Sequence, residues 1–244
     1  GNVGTMTLYR LEQHFGAKEI GRLARPGEFF DFTRYRPKMK QIDGKRVLSI
    51  PNTVISYAQP EELDHDFLFI RVLEPHNAAE RYVESLLAVL KLFDVKRYTR
   101  LGAMYDAVPH TRPIKVTGTL AGQPMNDVPG LIPSTRRRTY RGPTTIMGLL
   151  NETLEEIGVE NMTLMARLPQ YLQLDDDYSG TAKMLEVLKN LYKLDMDITE
   201  IDIGRRQYDQ ADNEVGQYGP ARELVDRLEA LYDGDDNNPQ HPEP

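Results

Sequence analysis

The chain has no cysteine among its 244 residues, which excludes disulfides, thiolate metal sites and cysteine nucleophiles together. It has no GxxxxGK[ST] loop for nucleotide phosphates and no GxSxG nucleophile elbow. The histidines His14, His65, His76, His110 and His241 never pair at metal-ligand spacing, so a zinc site is not expected. No apolar run approaches the roughly 20 residues of a membrane-spanning helix. The N-terminus lacks a basic stretch followed by an apolar one, so no signal peptide is visible. Positive charge is also short: the formal charge is −7 and the pI is near 5.3, the opposite of a general nucleic-acid binder's basic face. These absences lead us to expect a soluble cytoplasmic protein with no metal, no cofactor, no nucleic-acid partner and no membrane association.

What is present suits a folded domain. Hydrophobic residues make up 40% of the chain and charged residues 27%, enough apolar content for a core. Val3, Leu8, Leu11 and Phe15 predict a short helix over 3–15, and 19–23 reads as a strand. From Phe29 to Tyr57 aromatic and β-branched residues alternate with charged ones, with Asp43-Gly44 as a hairpin turn between 39–42 and 46–50. The near-continuous apolar run 67–73 predicts a strand covered on both faces. Asn77 and Glu80 resemble a capping box before a helix whose stripe is Val83, Leu86, Leu87, Leu90 and Phe93. A strand over 96–103, a helix over 143–157 started by Pro143 and ended by Gly158, and a strand over 162–168 follow. Helices over 179–193, with Ser179 as cap, and 220–232, started by Pro220, close the chain. Alternating strands and helices through 67–193 imply βαβ units. The expected fold is therefore a three-layer α/β domain over 1–232, with a mainly parallel sheet and an antiparallel section near its start. The acidic, proline-containing 233–244 is expected to be a flexible tail.

Polar chemistry concentrates in Leu101–Thr119, where a strand leads into a loop carrying His110, Arg112 and two prolines. Histidine titrates near neutral pH and arginine holds anions bidentately. His110 and Arg112 are thus the candidate catalytic pair, set against the alternative that both satisfy loop carbonyls or a neighbouring subunit. Other polar stretches are weaker. Gly1-Asn-Val-Gly4 resembles a phosphate-binding turn before a helix but has no strand before it. Asp175-Asp176-Asp177 reads as a solvated loop rather than a cation site, and Arg136-Arg137-Arg138 as a solvated basic cluster.

Leu101-Gly102-Ala103, Val108-Pro109-His110-Thr111-Arg112-Pro113 and Val116-Thr117-Gly118-Thr119 together resemble the signature region of the proteasome assembly chaperone-two family, in its bacterial and archaeal branch. The similarity continues through Tyr140-Arg141-Gly142-Pro143-Thr144, Leu168-Pro169-Gln170-Tyr171 and Leu228-Glu229-Ala230-Leu231-Tyr232. It implies a phosphorylase/hydrolase-like α/β fold, self-association into a homo-oligomer such as a trimer, and a first core strand lying just before Gly1 in a longer chain. It marks Thr117, Thr119, Tyr140, Arg141, Gly142, Thr144 and Tyr171 as ligand-binding candidates beside His110 and Arg112. Eukaryotic members act on proteasome α subunits, and chaperones of this kind use a C-terminal hydrophobic-Tyr-X motif; here Leu231-Tyr232-Asp233 is followed by further residues. The expected function is a non-catalytic, oligomeric protein-binding or assembly-chaperone-like role. The alternative is a small-molecule binder or enzyme of hydrolase, phosphorylase or ligase type. In that case His110 would serve as acid/base, with Arg112 and the amides of Gly142 to Thr144 on an anion. Some prokaryotic relatives carry ATP-grasp labels, which no nucleotide motif here supports.

Overall fold

The computed structural model describes residues 1–125, 127–132 and 144–237, and at residues 155 and 235–237 the backbone alone. In chain order the elements are α1 (Val3–His14), β1 (Lys18–Arg22), β2 (Lys38–Ile42), β3 (Lys45–Ser49), β4 (Val54–Ala58), β5 (Phe67–Arg71), α2 (Ala79–Leu92), β6 (Arg97–Asp106), β7 (Val116–Leu120), β8 (Gln123–Pro124), β9 (Leu131–Ile132), α3 (Ile146–Glu156), β10 (Glu160–Pro169), α4 (Tyr178–Tyr192), α5 (Glu200–Gly216) and α6 (Gly219–Asn237). The described residues gather into two compact units, one from residues 1–7, 99–132 and 162–237 and the other from residues 8–98 and 144–161. No described helix is long and apolar enough to cross a membrane.

The second of these units holds an antiparallel sheet in the order β1-β4-β5 and the separate hairpin β2-β3. Asp43 and Gly44 close the hairpin with φ of 49° and 76°, the left-handed pair that a two-residue turn between right-twisted strands requires. The α2 stripe buries Tyr82, Val83, Leu86, Leu87 and Leu90 against Ile146, Leu150 and Leu154 of α3, with Phe29 and Phe30 completing the cluster. Phe93, expected in the stripe, is exposed. The expected capping box is absent: Ala78 is the N-cap, in a left-handed conformation, with no side-chain cap. Asn77 instead donates its backbone N–H to the Phe29 carbonyl at 3.1 Å. The apolar run at β5 is half-covered, since Phe69 alone in that strand is fully buried and β4 pairs it as an antiparallel neighbour.

In the first unit the sheet runs β6-β10-β7-β8, with β9 beside β7. β10 alternates buried Met162, Leu164, Ala166 and Leu168 with partly exposed residues, the period of a strand with one covered face. β10–β7 and β7–β8 are antiparallel and β7–β9 is parallel. The Glu160 N–H bonds to the Lys96 carbonyl at one end of β10 and Gln170 N–H to the Asp106 carbonyl at the other, so β6 and β10 run parallel. The mainly parallel sheet is therefore corrected: among the described residues the fold is a mixed α/β arrangement in which antiparallel pairs are the more numerous. Short reversals cause this, such as Ala121-Gly122 between β7 and β8, whose φ values of 45° and 76° make a tight hairpin with no helix in between.

Three helices complete the first unit. α4 buries Met184, Leu185, Val187 and Leu188. Its N-cap is Asp177, not Ser179, with Oδ1 accepting the Gly180 N–H at 2.7 Å. α5 has no counterpart in the sequence reading, because its residues are polar and its apolar stripe is weak. Packing explains it: a Cβ on Gly204 would stand 2.5 Å from the Ser179 nitrogen and 2.7 Å from its Oγ, so glycine lets α5 approach the start of α4. α6 runs to Asn237, past Asp233 where the tail was expected to begin. We predict that Gly204→Ala forces α5 away and destabilises the protein by about 1–3 kcal/mol, the usual cost of overpacking. Chemical denaturation at neutral pH measures it, and an unchanged midpoint overturns this account of α5.

Candidate functional site

The loop over residues 107–115 leaves β6 and enters β7, and both of its ends are tied to β10. Arg167 Nη1 pairs with Asp106 Oδ2 at 2.6 Å, both side chains being largely buried. The same aspartate accepts the Ala107 N–H at 2.8 Å. At the far end the Arg167 N–H donates to the Lys115 carbonyl at 2.9 Å. Pro109 and Pro113 fix φ at two positions in between. A segment without regular structure is thereby given one conformation.

His110 points inward, its side chain 1% exposed. Its backbone N–H donates to the Tyr171 hydroxyl oxygen at 2.8 Å. The Tyr171 hydroxyl lies 2.6 Å from Nδ1, and donating its proton there places the imidazole proton on Nε2. Nε2 faces Asp212 Oδ1 on α5 at 3.6 Å and has no hydrogen-bond partner among the described residues. Tyr171 and Tyr208 present ring edges to the imidazole, with centroids 5.7 and 6.0 Å away. The Tyr208 hydroxyl in turn donates to Asp177 Oδ2 at 2.9 Å. Burial pushes the His110 pKa down, opposed by the negative charges of Asp212 and Glu229. Burial raises the Tyr171 and Asp177 values, and burial with the neighbouring Asp177 raises that of Tyr208.

Arg112 points to α6. Its Nε and Nη2 take both oxygens of Asp233 at 2.9 and 2.8 Å, and Nη1 reaches Glu229 at 3.0 Å. Thr111 donates to the same Glu229 carboxylate. The hydrogen bonds with Asp233 raise the arginine pKa and lower that of the aspartate. Tyr232 donates its hydroxyl to the Pro113 carbonyl at 2.9 Å, and Lys115 Nζ sits 3.6 Å above the Tyr232 ring. Leu231 and Tyr232, the pair that resembles the family's hydrophobic-Tyr motif, are divided: Tyr232 is buried against the loop, and Leu231 is exposed.

The candidate residues fall into separate environments. His110 and Tyr171 are brought together, whereas Arg112 is held by carboxylates and has no free fork for an external anion. Thr117 is buried on β7, its hydroxyl 3.4 Å from the Met165 carbonyl. Thr119 lies on the same strand opposite Thr163. Thr144 is exposed just before α3, where Glu74 Oε1 already accepts the Ile146 N–H at 2.8 Å. Tyr140, Arg141 and Gly142 lie outside the described residues, as do Pro143, Arg136-Arg137-Arg138 and His241. The expected solvated loop at Asp175-Asp176-Asp177 is corrected at its last member, which is 1% exposed. Among the described residues no three His, Asp or Glu side chains cluster to hold a metal.

Sequence reasoning passed over Tyr208, Asp212, Glu229 and Asp233. A usable signal was their spacing: Tyr208 with Asp212, and Glu229 with Asp233, are i, i+4 pairs that share one helix face. Gly4 has a packing role, since a Cβ there would meet the Leu101 carbonyl oxygen at 2.5 Å. A cavity of about 250 Å3 lies at this junction, lined by Asn2, Val3, Thr5, Gly102, Met104 and Tyr105 among others, and by neither His110 nor Arg112.

The lowered His110 pKa makes the unfolded chain the stronger proton binder between that lowered value and 6.5. Its contribution to stability is therefore complete above pH 6.5 and declines as pH falls through 6.5 toward the lowered value. Calorimetry across this range is expected to show a falling melting temperature, with a smaller slope in His110→Gln, which keeps an acceptor for Tyr171 but binds no proton. Equal slopes in the two proteins overturn the assignment.

The model of the PAC2 family matches residues 1–212, which takes in the loop and most of α5 and stops before α6. A solved structure of a PAC2 family protein from Streptomyces avermitilis is similar at 25% identity and a TM-score of 0.75, over 92% of this chain and 94% of that one. A proteasome-assembly chaperone homologue from Mycobacterium tuberculosis is similar at 21% identity and a TM-score of 0.74, over 93% of each chain. An archaeal proteasome activator from Pyrococcus furiosus is similar at 14% identity and a TM-score of 0.65, over 88% of each. At these identities the last two speak to the fold alone. No curated protein matches the sequence.

Proposed function

Because the chain belongs to the PAC2 family, we propose that it is a non-catalytic, homo-oligomeric protein-binding protein of the assembly-chaperone kind. The commitment of the His110 loop carries this reading. The histidine best placed for acid–base work is enclosed by Tyr171, Tyr208 and Asp212, and the arginine best placed for an anion is neutralised by Glu229 and Asp233. General acid–base catalysis needs a group within reach of a substrate proton; the His110 side chain is enclosed, and the partly exposed Arg112 is already occupied by two carboxylates. The loop acts as a fastener for α5 and α6. Two similar solved structures are described as a proteasome-assembly chaperone homologue and a proteasome activator; the partner we propose is accordingly a proteasome core subunit. A cytoplasmic location belongs to the same proposal. So does a single three-layer, phosphorylase/hydrolase-like domain, its end moved from the expected residue 232 to the end of α6 at Asn237, which the interleaving of the two units along the chain supports.

One observation favours the small-molecule alternative, namely the cavity beside Gly102 and the start of α1. The two readings separate in one pair of measurements. Purified chain mixed with proteasome core subunits of its own host is expected to co-elute with them in gel filtration and to cross-link to them. Melting-temperature scans with nucleosides, inorganic phosphate and simple carboxylates are expected to show no rise. A ligand-dependent rise without any subunit retained overturns the chaperone-like reading in favour of the cavity.

A further inference from the structure

The hairpin β2-β3 is the least supported element of the fold. Its strands pair with each other and with no other described strand. Nearly every residue along it is exposed, including the apolar Met39, Ile42, Val47 and Leu48. An isolated two-stranded hairpin is marginally stable in water, and Met39 at 63% and Leu48 at 53% exposure face each other across it with no cover from the described residues. The register divides its side chains into two faces. Met39, Gln41, Arg46 and Leu48 share one; Lys38, Lys40, Ile42, Lys45 and Val47 share the other, so that three lysines surround two aliphatic residues.

Charge narrows the choice of cover. Residues 34–49 carry six basic side chains and one acidic one, a net +5 in a chain of net −7, which leaves −12 on the remainder. Much of that negative charge is concentrated near the C-terminus: residues 200–237 hold eleven acidic and four basic side chains, a net −7. Asp202, Asp209, Glu214, Glu223 and Asp226 are exposed there, with Tyr218 and Leu231 as exposed apolar residues. We propose that the lysine face of the hairpin docks on the acidic α5–α6 surface of a second copy of this chain. The proposal rests on the oligomeric part of the reading above and names the surface through which copies join.

Other occupants fit less well. Pairing hairpin edge to hairpin edge brings two +5 segments together, which like-charge repulsion opposes. Insertion into an anionic membrane would lead with the Asp43-Gly44 tip, which is acidic and polar. A nucleic acid meets the repulsion of the −7 chain. A second copy supplies the complementary surface with every hairpin present. Two different patches meet, so each pair of copies joins either reciprocally about a two-fold axis or head-to-tail.

The test uses the full chain and light scattering coupled to gel filtration at low and high salt. One variant carries Lys38→Glu, Lys40→Glu and Lys45→Glu; a second carries Asp209→Lys, Glu223→Lys and Asp226→Lys, away from the residues that touch the loop. The wild type is expected to be oligomeric and to dissociate in high salt. Each variant alone is expected to be monomeric with an unchanged circular dichroism spectrum, and an equimolar mixture is expected to reassemble, since each supplies the sign the other lost. If a variant fails to fold, the neutral set Lys38→Gln, Lys40→Gln and Lys45→Gln replaces it, with weakened assembly as the expected result. A monomeric wild type overturns the oligomeric reading together with this surface. An oligomer that survives in both variants overturns this surface alone. A monomer that floats with phosphatidylserine-containing vesicles, and loses that binding on lysine reversal, assigns the hairpin to lipid instead and also overturns the proposal.

Discussion

A carboxylate removed from water has to be hydrogen-bonded, and that of Asp177 organises the region around the loop. One oxygen caps α4 through the Gly180 amide and the other receives the Tyr208 hydroxyl from α5. Replacing such a cap costs about 0.5–2 kcal/mol even where the group is exposed, and a buried group left unpaired costs more. Three further features follow from it. α5 is drawn close enough to need Gly204. Gln207 reaches both the Tyr178 amide and the Asp176 carbonyl. Tyr208 is set edge-on to the His110 ring, so the loop inherits its packing from a cap two elements away.

The loop then divides its work between two residues two positions apart. His110 is enclosed, with a neutral ring favoured by burial, and serves as filling between α5 and Tyr171. Arg112 stays at the rim and ties α6 through a bidentate pair with Asp233 and a further bond to Glu229. A histidine and an arginine close together in a proline-bracketed loop invite an active-site interpretation. What separates that from a structural one is the destination of the side chains, and the helices that receive them lie about a hundred residues further along the chain.

Local patterns were legible where burial follows a regular period. The α2 stripe, the alternation in β10, the Asp43-Gly44 turn and the glycine stop at Gly158 can all be read from residue order, because each expresses one local rule. α5 was illegible because its helix depends on contacts rather than on an apolar face. The sheet direction was misjudged because a strand–helix alternation does not reveal which strands become neighbours, and β7 entered beside β10 through reversals. The site residues on the loop were found, whereas Tyr208, Asp212, Glu229 and Asp233 were not, since polar residues on helices are ordinarily solvated. Family resemblance supplied the loop's identity, and geometry supplied what it touches.

The interleaving of the two units constrains how the molecule is made. The stripe of α2 leaves the ribosome long before α3, the helix that covers Leu86 and Leu90, has been synthesised. The first strand of the other unit likewise waits for β10 and for the helices beyond it. The second unit's core waits until residue 161 and the first unit's until the helices that end the chain, so nascent chains pass through a long interval with an apolar stripe uncovered. A break between residues 99 and 132 divides both units at once and leaves neither fragment with a finished core.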